Sequence, residues 1–271
     1  MSHKFGQVFL HDKNILGKII QVSDLKPDDV AVEIGCGHGV LTRALADAVS
    51  ALTIIEIDEA CILATQSLMG DLSHVAYVHA DILKDRFSSV RAEKFSVVAN
   101  IPYYISAKIL KLLIESRRRV DRAVLMVQRE FAKKLIAKPG DKDYTSLTVH
   151  IRFYFDVEEA FPVSRTCFKP VPDVDSSVII LRPKKNVYDV DETVFFALVR
   201  SGFWGRRKPL VSALSKSPYV DLDKAYKESP FFLTRSGVRG EVLGLEEFEQ
   251  LYRDISPFVK AVHGKHAGEL T

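Results

Sequence analysis

Residues 30–39 read Val30-Ala31-Val32-Glu33-Ile34-Gly35-Cys36-Gly37-His38-Gly39, and a helical pattern, Val40-Leu41-Thr42-Arg43-Ala44-Leu45, follows at once. The β-branched run reads as a strand, and three glycines at alternate positions let the chain turn tightly behind it. With no Cβ in the way, a ligand can also come close to the backbone of that turn. Strand, glycine turn and helix together make the first unit of an open α/β sheet. Ligands bind such sheets in the crevice beyond the carboxyl ends of the strands.

Working outward, the spacing predicts further strands at residues 52–57, 75–79, 96–99, 123–127, 149–155 and 177–181. Helical patterns lie between them, as in 105–115, where Ile105, Ile109, Leu112 and Leu113 share one face. This alternation predicts βαβ units and a largely parallel sheet covered on both faces. The last two strands are separated by a Pro-rich connection, residues 161–172, so an antiparallel strand is expected at that end. After Arg182-Pro183-Lys184-Lys185-Asn186 the pattern changes to short helices at 193–203, 209–215 and 245–255, with no strand. The expectation is a seven-stranded α/β domain over residues 1–183 and a small all-helical domain over 184–271.

Composition is that of a globular protein: 271 residues, 47% hydrophobic and 27% charged. Cys36, Cys61 and Cys167 form no paired spacing, and the eight histidines are scattered, so no metal is expected. No apolar run is long enough for a bilayer and the first residues show no signal-peptide core, which predicts a cytoplasmic protein with no membrane partner. A net charge of +3 barely favours a polyanion. Local basic clusters say more: Arg117 to Arg119; Arg182 with Lys184 and Lys185; and Arg206, Arg207 and Lys208. Two of these lie at or beyond the predicted boundary, which favours a coordinated basic surface.

The second strand ends in Ile55-Glu56-Ile57-Asp58, about twenty residues after the glycine turn, where Glu56 can accept from ribose hydroxyls. Asp58 suits the N-cap of the next helix. The third strand ends in Ala80-Asp81, whose carboxylate can take an adenine amine. Gly35 and Gly37, Glu56 and Asp81 therefore arrive at successive strand ends, the pattern of a nucleoside-containing cofactor. The turn is GxGxG rather than GxGxxG, and S-adenosylmethionine has no pyrophosphate to cradle. From the turn alone, a nicotinamide dinucleotide stays open.

The fourth strand ends in Val98-Ala99-Asn100-Ile101-Pro102-Tyr103-Tyr104. Asn and Pro are also common turn residues. Behind two acidic strand ends and a glycine turn, however, this segment suits the methylation of an aromatic amine. The lone pair of such an amine is delocalised into its ring, so acceptors that hold its hydrogens favour a nucleophilic, pyramidal nitrogen. Asn100 offers a side-chain oxygen, and a backbone carbonyl near Pro102 offers a second. Tyr103 can stack on the base, a contact that contributes about 1–3 kcal/mol.

With these segments in order, the chain resembles the KsgA family, the adenine dimethyltransferases of small-subunit ribosomal RNA. The resemblance spans nearly the whole chain. It rests on Phe5-Gly6-Gln7-Val8-Phe9-Leu10, on residues 32–39, on Asn100-Ile101-Pro102-Tyr103 and on Gln128-Arg129-Glu130. Further on it includes residues 168–176, beginning Phe168-Lys169-Pro170-Val171-Pro172, and Arg206-Arg207-Lys208. It implies a Rossmann-like class I methyltransferase fold and S-adenosylmethionine as cofactor, with S-adenosylhomocysteine as product. The implied reaction is dimethylation of N6 on two adjacent adenosines in the loop of the 3′-terminal hairpin of 16S rRNA. The substrate would be an immature small ribosomal subunit, modified late in its biogenesis by a monomeric enzyme.

Carried over by motif, Val8, Leu10, Gly35, Gly37, Glu56, Asp81 and Asn100 would bind the cofactor. Asn100, Pro102 and Tyr103 would serve the chemistry, with Phe168 as a second aromatic partner of the target base. Arg206, Arg207 and Lys208 would hold RNA phosphates. Val8 stands where His or Asn is common, Ile101 replaces the commoner Leu, and Pro209 takes the place of a hydroxyl residue as the expected first residue of a helix. Three rivals remain: a large-subunit rRNA adenine methyltransferase of the macrolide-resistance type, a non-catalytic RNA-binding assembly factor, and a nicotinamide-dependent oxidoreductase.

Overall fold

The computed structural model describes residues 8–185 and 188–263. The Phe5-Gly6-Gln7 part of the N-terminal resemblance, and Asn186, lie outside the described residues. The chain divides into two units, Met1–Ala132 with Phe155–Pro183, and Lys133–Tyr154 with Lys184–Thr271.

The first unit begins with β1 (Phe9–Leu10) and α1 (Lys13–Ser23), then alternates β2 (Val30–Ile34), α2 (Val40–Ala46), β3 (Ala51–Glu56), α3 (Glu59–Met69), β4 (Val75–His79), α4 (Ile82–Asp85), β5 (Phe95–Asn100), α5 (Ser106–Glu115) and β6 (Val120–Gln128). After α6 (Arg129–Ile136), which begins in this unit, and α7 (Ser146–Tyr154), which belongs to the second, the first unit resumes with β7 (Phe155–Val163), β8 (Phe168–Lys169) and β9 (Ser176–Pro183). Among the described residues the main sheet has seven strands in the order β4-β3-β2-β5-β6-β9-β7. β9 runs antiparallel to both its neighbours, and the other pairings are parallel. This is the expected seven-stranded, Rossmann-like class I sheet with one reversed strand.

The central strands explain that architecture. Residues 31–34 of β2 are at most 3% exposed, because helices cover the sheet on both faces and leave no polar side to alternate. Chain order reverses at β2, which pairs with β3 on one side and β5 on the other. Glu33 stands opposite Val98 in the β2–β5 register, so the glycine turn after β2 and Asn100 at the end of β5 lie side by side. A topological switch point of this kind leaves a crevice where the two connections diverge.

One strand prediction is corrected. Residues 149–154, read as a strand, form the end of α7. Val149, Ile151, Phe153 and Phe155 alternate with other residues as a strand would, but α7 is buried nearly all round, His150 and Tyr154 included, so no polar face marks the helical period. The strand itself starts at Phe155 and passes through Pro162, which is tolerated because β7 is the edge of the sheet.

The second unit contains α8 (Glu192–Trp204), α9 (Leu210–Ser215), β10 (Val220–Leu222), α10 (Pro230–Thr234), α11 (Leu245–Ile255) and β11 (Val259–Val262). It is not all-helical: β10 and β11 pair antiparallel. At three and four residues these strands are too short to show a period. Residues 133–154 belong with this unit, whereas the sequence reading placed them in the first domain. Phe153 packs at 5.0 Å from Phe195 and 5.1 Å from Phe196, and His150 stacks on Phe196 at 4.0 Å. The Tyr144 hydroxyl donates to the Leu243 carbonyl at 2.7 Å. Burying these aromatic side chains outweighs their adjacency in sequence to β7.

Candidate active site

A cleft of about 350 Å³ opens at the carboxyl ends of β2, β3, β4 and β5. Its lining includes Val8, Leu10, Gly35, Gly37, Glu56, Asp81, Asn100, Pro102 and Tyr103, so the segments singled out in the sequence share one cavity.

Gly35 and Gly37 both have positive φ, 80° and 53°. At Gly37 the reason is also steric, since a Cβ would lie 3.0 Å from the Phe9 ring. That ring stacks on His38 with centroids 3.8 Å apart and so closes one wall. Gly37→Ala is therefore expected to cost about 1–3 kcal/mol, from left-handed backbone plus displacement of Phe9, and to weaken cofactor binding. Urea unfolding with calorimetric titration measures both; a loss below about 0.5 kcal/mol would show that the turn accepts a side chain.

Glu56 is buried, and its carboxylate braces the turn. It accepts from the Asp58 backbone N–H at 2.9 Å and lies 3.5 Å from that of Gly37. Asp58 caps α3 as its position suggested, accepting from the Ala60 N–H at 3.0 Å. Asp81 caps α4 through one oxygen, which accepts from the Leu83 N–H at 2.9 Å, and its second oxygen is left for another donor. Val8 and Leu10 come to the cleft because β1 pairs with β8, Leu10 opposite Phe168.

Asn100 ends β5, and its side-chain amide makes no hydrogen bond among the described residues. The Pro102 carbonyl accepts from the Ile105 N–H at 3.1 Å, which fixes the following turn of 3-10 helix and leaves that oxygen one lone pair. The Tyr103 hydroxyl pairs with the buried Ser176 hydroxyl at 2.7 Å, which pins the ring. Burial pushes the Tyr103 phenol up, and the Ser176 contact pulls it partly back.

Phe168 does not join this set. It has no exposed surface and packs in the core with Leu10, Val163 and Val178, so no ring face is open to a base. The β1–β8 pairing that brings Leu10 to the cleft also covers Phe168.

Glu33, Tyr104 and Lys108 are among the lining residues that escaped the sequence reading. Glu33 is fully buried and neither carboxyl oxygen has a hydrogen-bond partner. On β2 it read as one more strand residue before the glycines, although an acid inside an apolar strand was itself the signal. Tyr104, 66% exposed, and Lys108 also line the cleft. Lys108 lies beyond the Asn-Ile-Pro-Tyr segment and reaches the cavity only through the turn into α5.

The basic cluster of the second unit is divided by the structure. Arg206 is spent on structure: its guanidinium pairs with Glu241 at 2.6 Å and donates to the Asp141 carbonyl at 2.9 Å. Arg207 and Lys208 are exposed, with no acidic partner among the described residues. Pro209 is the N-cap of α9 and not its first residue. The cluster at 117–119 is also partly structural, since Arg119 donates to the carbonyls of Phe87, Val90 and Ala92. Among the described residues no three His, Cys, Asp or Glu side chains are grouped to hold a metal ion, and no helix is long and apolar enough to cross a membrane.

Comparison with known proteins agrees with this geometry. The Ribosomal RNA adenine dimethylase family matches residues 1–232. A relative from Bacillus cytotoxicus, Ribosomal RNA small subunit methyltransferase A, is 39% identical over 264 residues, covering 93% of this chain and 90% of the relative. Its counterpart from Chlorobium phaeobacteroides is 37% identical over 258 residues, covering 95% and 94%. Among solved structures, a dimethyladenosine transferase from Plasmodium falciparum superposes with a TM-score of 0.80 at 28% identity, covering 93% of this chain and 99% of that one. The 23S rRNA methyltransferase ErmE gives 0.69 at 27% identity, covering 92% and 99%. Glycine turn, acidic strand ends and Asn-Ile-Pro-Tyr segment in one cleft, together with these likenesses, make the chain a member of the ribosomal RNA adenine dimethylase family.

Proposed function

We propose that this protein uses S-adenosylmethionine to dimethylate N6 of two adjacent adenosines in the loop of the 3′-terminal hairpin of 16S rRNA. It does so in the cytoplasm, as a monomer, on an immature small subunit late in its biogenesis. The observation that carries the reading is the placement of Asn100, with an uncommitted amide, beside the glycine turn in the same cleft.

The residues present fit the cofactor. Glu33 is a buried acid without a partner at the floor of the cleft, which suits a cationic ligand; Glu56 and the free oxygen of Asp81 suit a ribose and an adenine. When bound, S-adenosylmethionine supplies a methyl group already activated on a sulfonium. The protein then needs to supply position, exclusion of water and hydrogen-bond acceptors, not a strong base. Phe9, Leu10, Ile34 and Ile101 wall the cleft with apolar surface. Asn100 accepts one hydrogen of the target amine, and a backbone carbonyl in the turn at Pro102 accepts the other. Tyr103, held by Ser176, stacks on the ring. The nitrogen becomes strongly acidic as it is alkylated, so its proton passes to solvent water once transfer is complete and no side-chain base is needed. An unpaired loop adenosine enters such a cleft more cheaply than one in a duplex. Arg207 and Lys208 hold the RNA by salt-sensitive phosphate contacts.

The large-subunit alternative gains little, since the relatives at 37–39% identity carry the small-subunit name. Incubating the protein with labelled methyl donor and immature small subunits, then mapping stops by primer extension, tests the reading. Two adjacent dimethylated adenosines near the 3′ end are expected; label confined to large-subunit RNA, or none at all, refutes it.

A further inference from the structure

Trp204, the one tryptophan of the chain, closes α8 and is 47% exposed. A single exposed apolar residue needs no explanation, but this one stands in a particular setting. The Lys208 ammonium lies over its indole, 5.8 Å from the ring centroid. Arg207 and Lys208 are exposed and have no acidic partner among the described residues, while Arg206, between Trp204 and Arg207 in sequence, is tied to Glu241 and the Asp141 carbonyl. Gly205 is held so close to α9 that a Cβ there would sit 2.7 Å from that of Ala213. One cation and a tight glycine contact therefore fix the segment. They leave an exposed indole with the Lys208 ammonium over one face, and Arg207, three residues on, exposed and without an acidic partner among the described residues.

An exposed flat ring near cations that have no acidic partner is the composition of a single-stranded nucleic-acid site, where a base stacks and its phosphates are neutralised. We propose that Trp204, with Arg207 and Lys208, is a second base-stacking site, on the C-terminal unit, that takes an unpaired base of the substrate RNA. The proposal rests on the reading that the chain acts on RNA, and it adds a contact that the methyltransfer chemistry does not require. With the Lys208 ammonium over one face of the ring, the base stacks on the other face and the long lysine side chain reaches round to its phosphate.

Because Trp204 is the sole tryptophan, its fluorescence reports on this place alone. The full chain is titrated with a short single-stranded oligoadenylate and with a duplex of equal length, while end-label anisotropy reads binding independently. Saturable quenching by the single strand, and little by the duplex, is the expected result. Trp204→Ala should weaken single-strand binding about tenfold with an unchanged salt slope, and Trp204→Phe should recover most of it. Arg207→Ala with Lys208→Ala should flatten the slope by about 1.4, for two phosphates on a single strand. RNA binding that leaves wild-type Trp204 fluorescence unmoved, or a folded Trp204→Ala variant with wild-type affinity, overturns the stacking site while the RNA reading stands. No binding of either RNA, together with no methyl incorporation into subunits, removes the RNA reading and the site with it.

Discussion

Asn100→Ala is expected to lower the rate of methyl transfer by about 10²- to 10³-fold while cofactor affinity changes only modestly, because a preorganised group aimed at the reacting centre acts mainly in the transition state. The exocyclic amine of adenine gains positive charge as its lone pair, drawn out of the ring, forms the bond to the methyl carbon, and an acceptor on its hydrogen is then worth most. Asn100 is placed for this by the fold: it ends β5, lines the cleft, and its side-chain amide spends no hydrogen bond elsewhere among the described residues. Asn100→Asp keeps an acceptor oxygen and should recover part of the rate. Single-turnover transfer to subunits, beside calorimetric titration of the cofactor, separates the two effects. A transfer rate within threefold of wild type would remove Asn100 from the chemistry.

Glu33 gives the second large effect, and its sign can be worked out. Burial, and secondarily the negative charge of Glu56, pushes the Glu33 carboxyl from its ordinary 4.5 up to about 8. Thr42, whose hydroxyl also lacks a hydrogen bond of normal geometry, offsets this only in part. With no cation facing it, the carboxyl is thus held protonated at neutral pH. A cationic ligand favours the ionised form, so binding below about pH 8 must expel a proton. Cofactor affinity is expected to rise by up to about tenfold per pH unit through pH 6–7 and to level off above about 8. Calorimetry in buffers of different ionisation enthalpy should count close to one proton released at neutral pH. Glu33→Gln should lose both the proton release and most of the pH dependence. The same shift bears on folding: the folded value lies above the unfolded one, so Glu33 costs stability progressively as pH rises from about 4.5 to 8. The Gln variant should therefore gain in Tm over wild type as pH is raised across that window. An affinity independent of pH in the wild type would show that the cation sits elsewhere.

Much of the first unit was legible because its signals are local. The run at 30–34 and its glycines define a buried strand and a turn that needs positive φ, and both are properties of a few neighbouring residues. Asp58 announced itself as an N-cap for the same reason: an acid before a helical run accepts from the next free N–H groups. Residues 149–154 failed because a helix buried on every side loses the polar face by which helices are recognised. The strand at 155–163 was missed because Asp156, Glu158, Glu159 and Pro162 mask it, and an edge position excuses all four.

The candidate site divides along the same line. Sequence by itself determined which residue types sit at the strand ends, and therefore the class of ligand and of chemistry, because the peptide geometry of a parallel α/β sheet delivers those ends to one side. Only the tertiary structure decided which side chains remain free to act. Packing closed β1 over Phe168, Glu241 claimed Arg206 from the basic run, and the cover over β2 left the Glu33 carboxyl without a partner. Burial and pairing depend on segments far apart in the chain, and no local pattern encodes which of two equally suitable residues a distant neighbour will occupy.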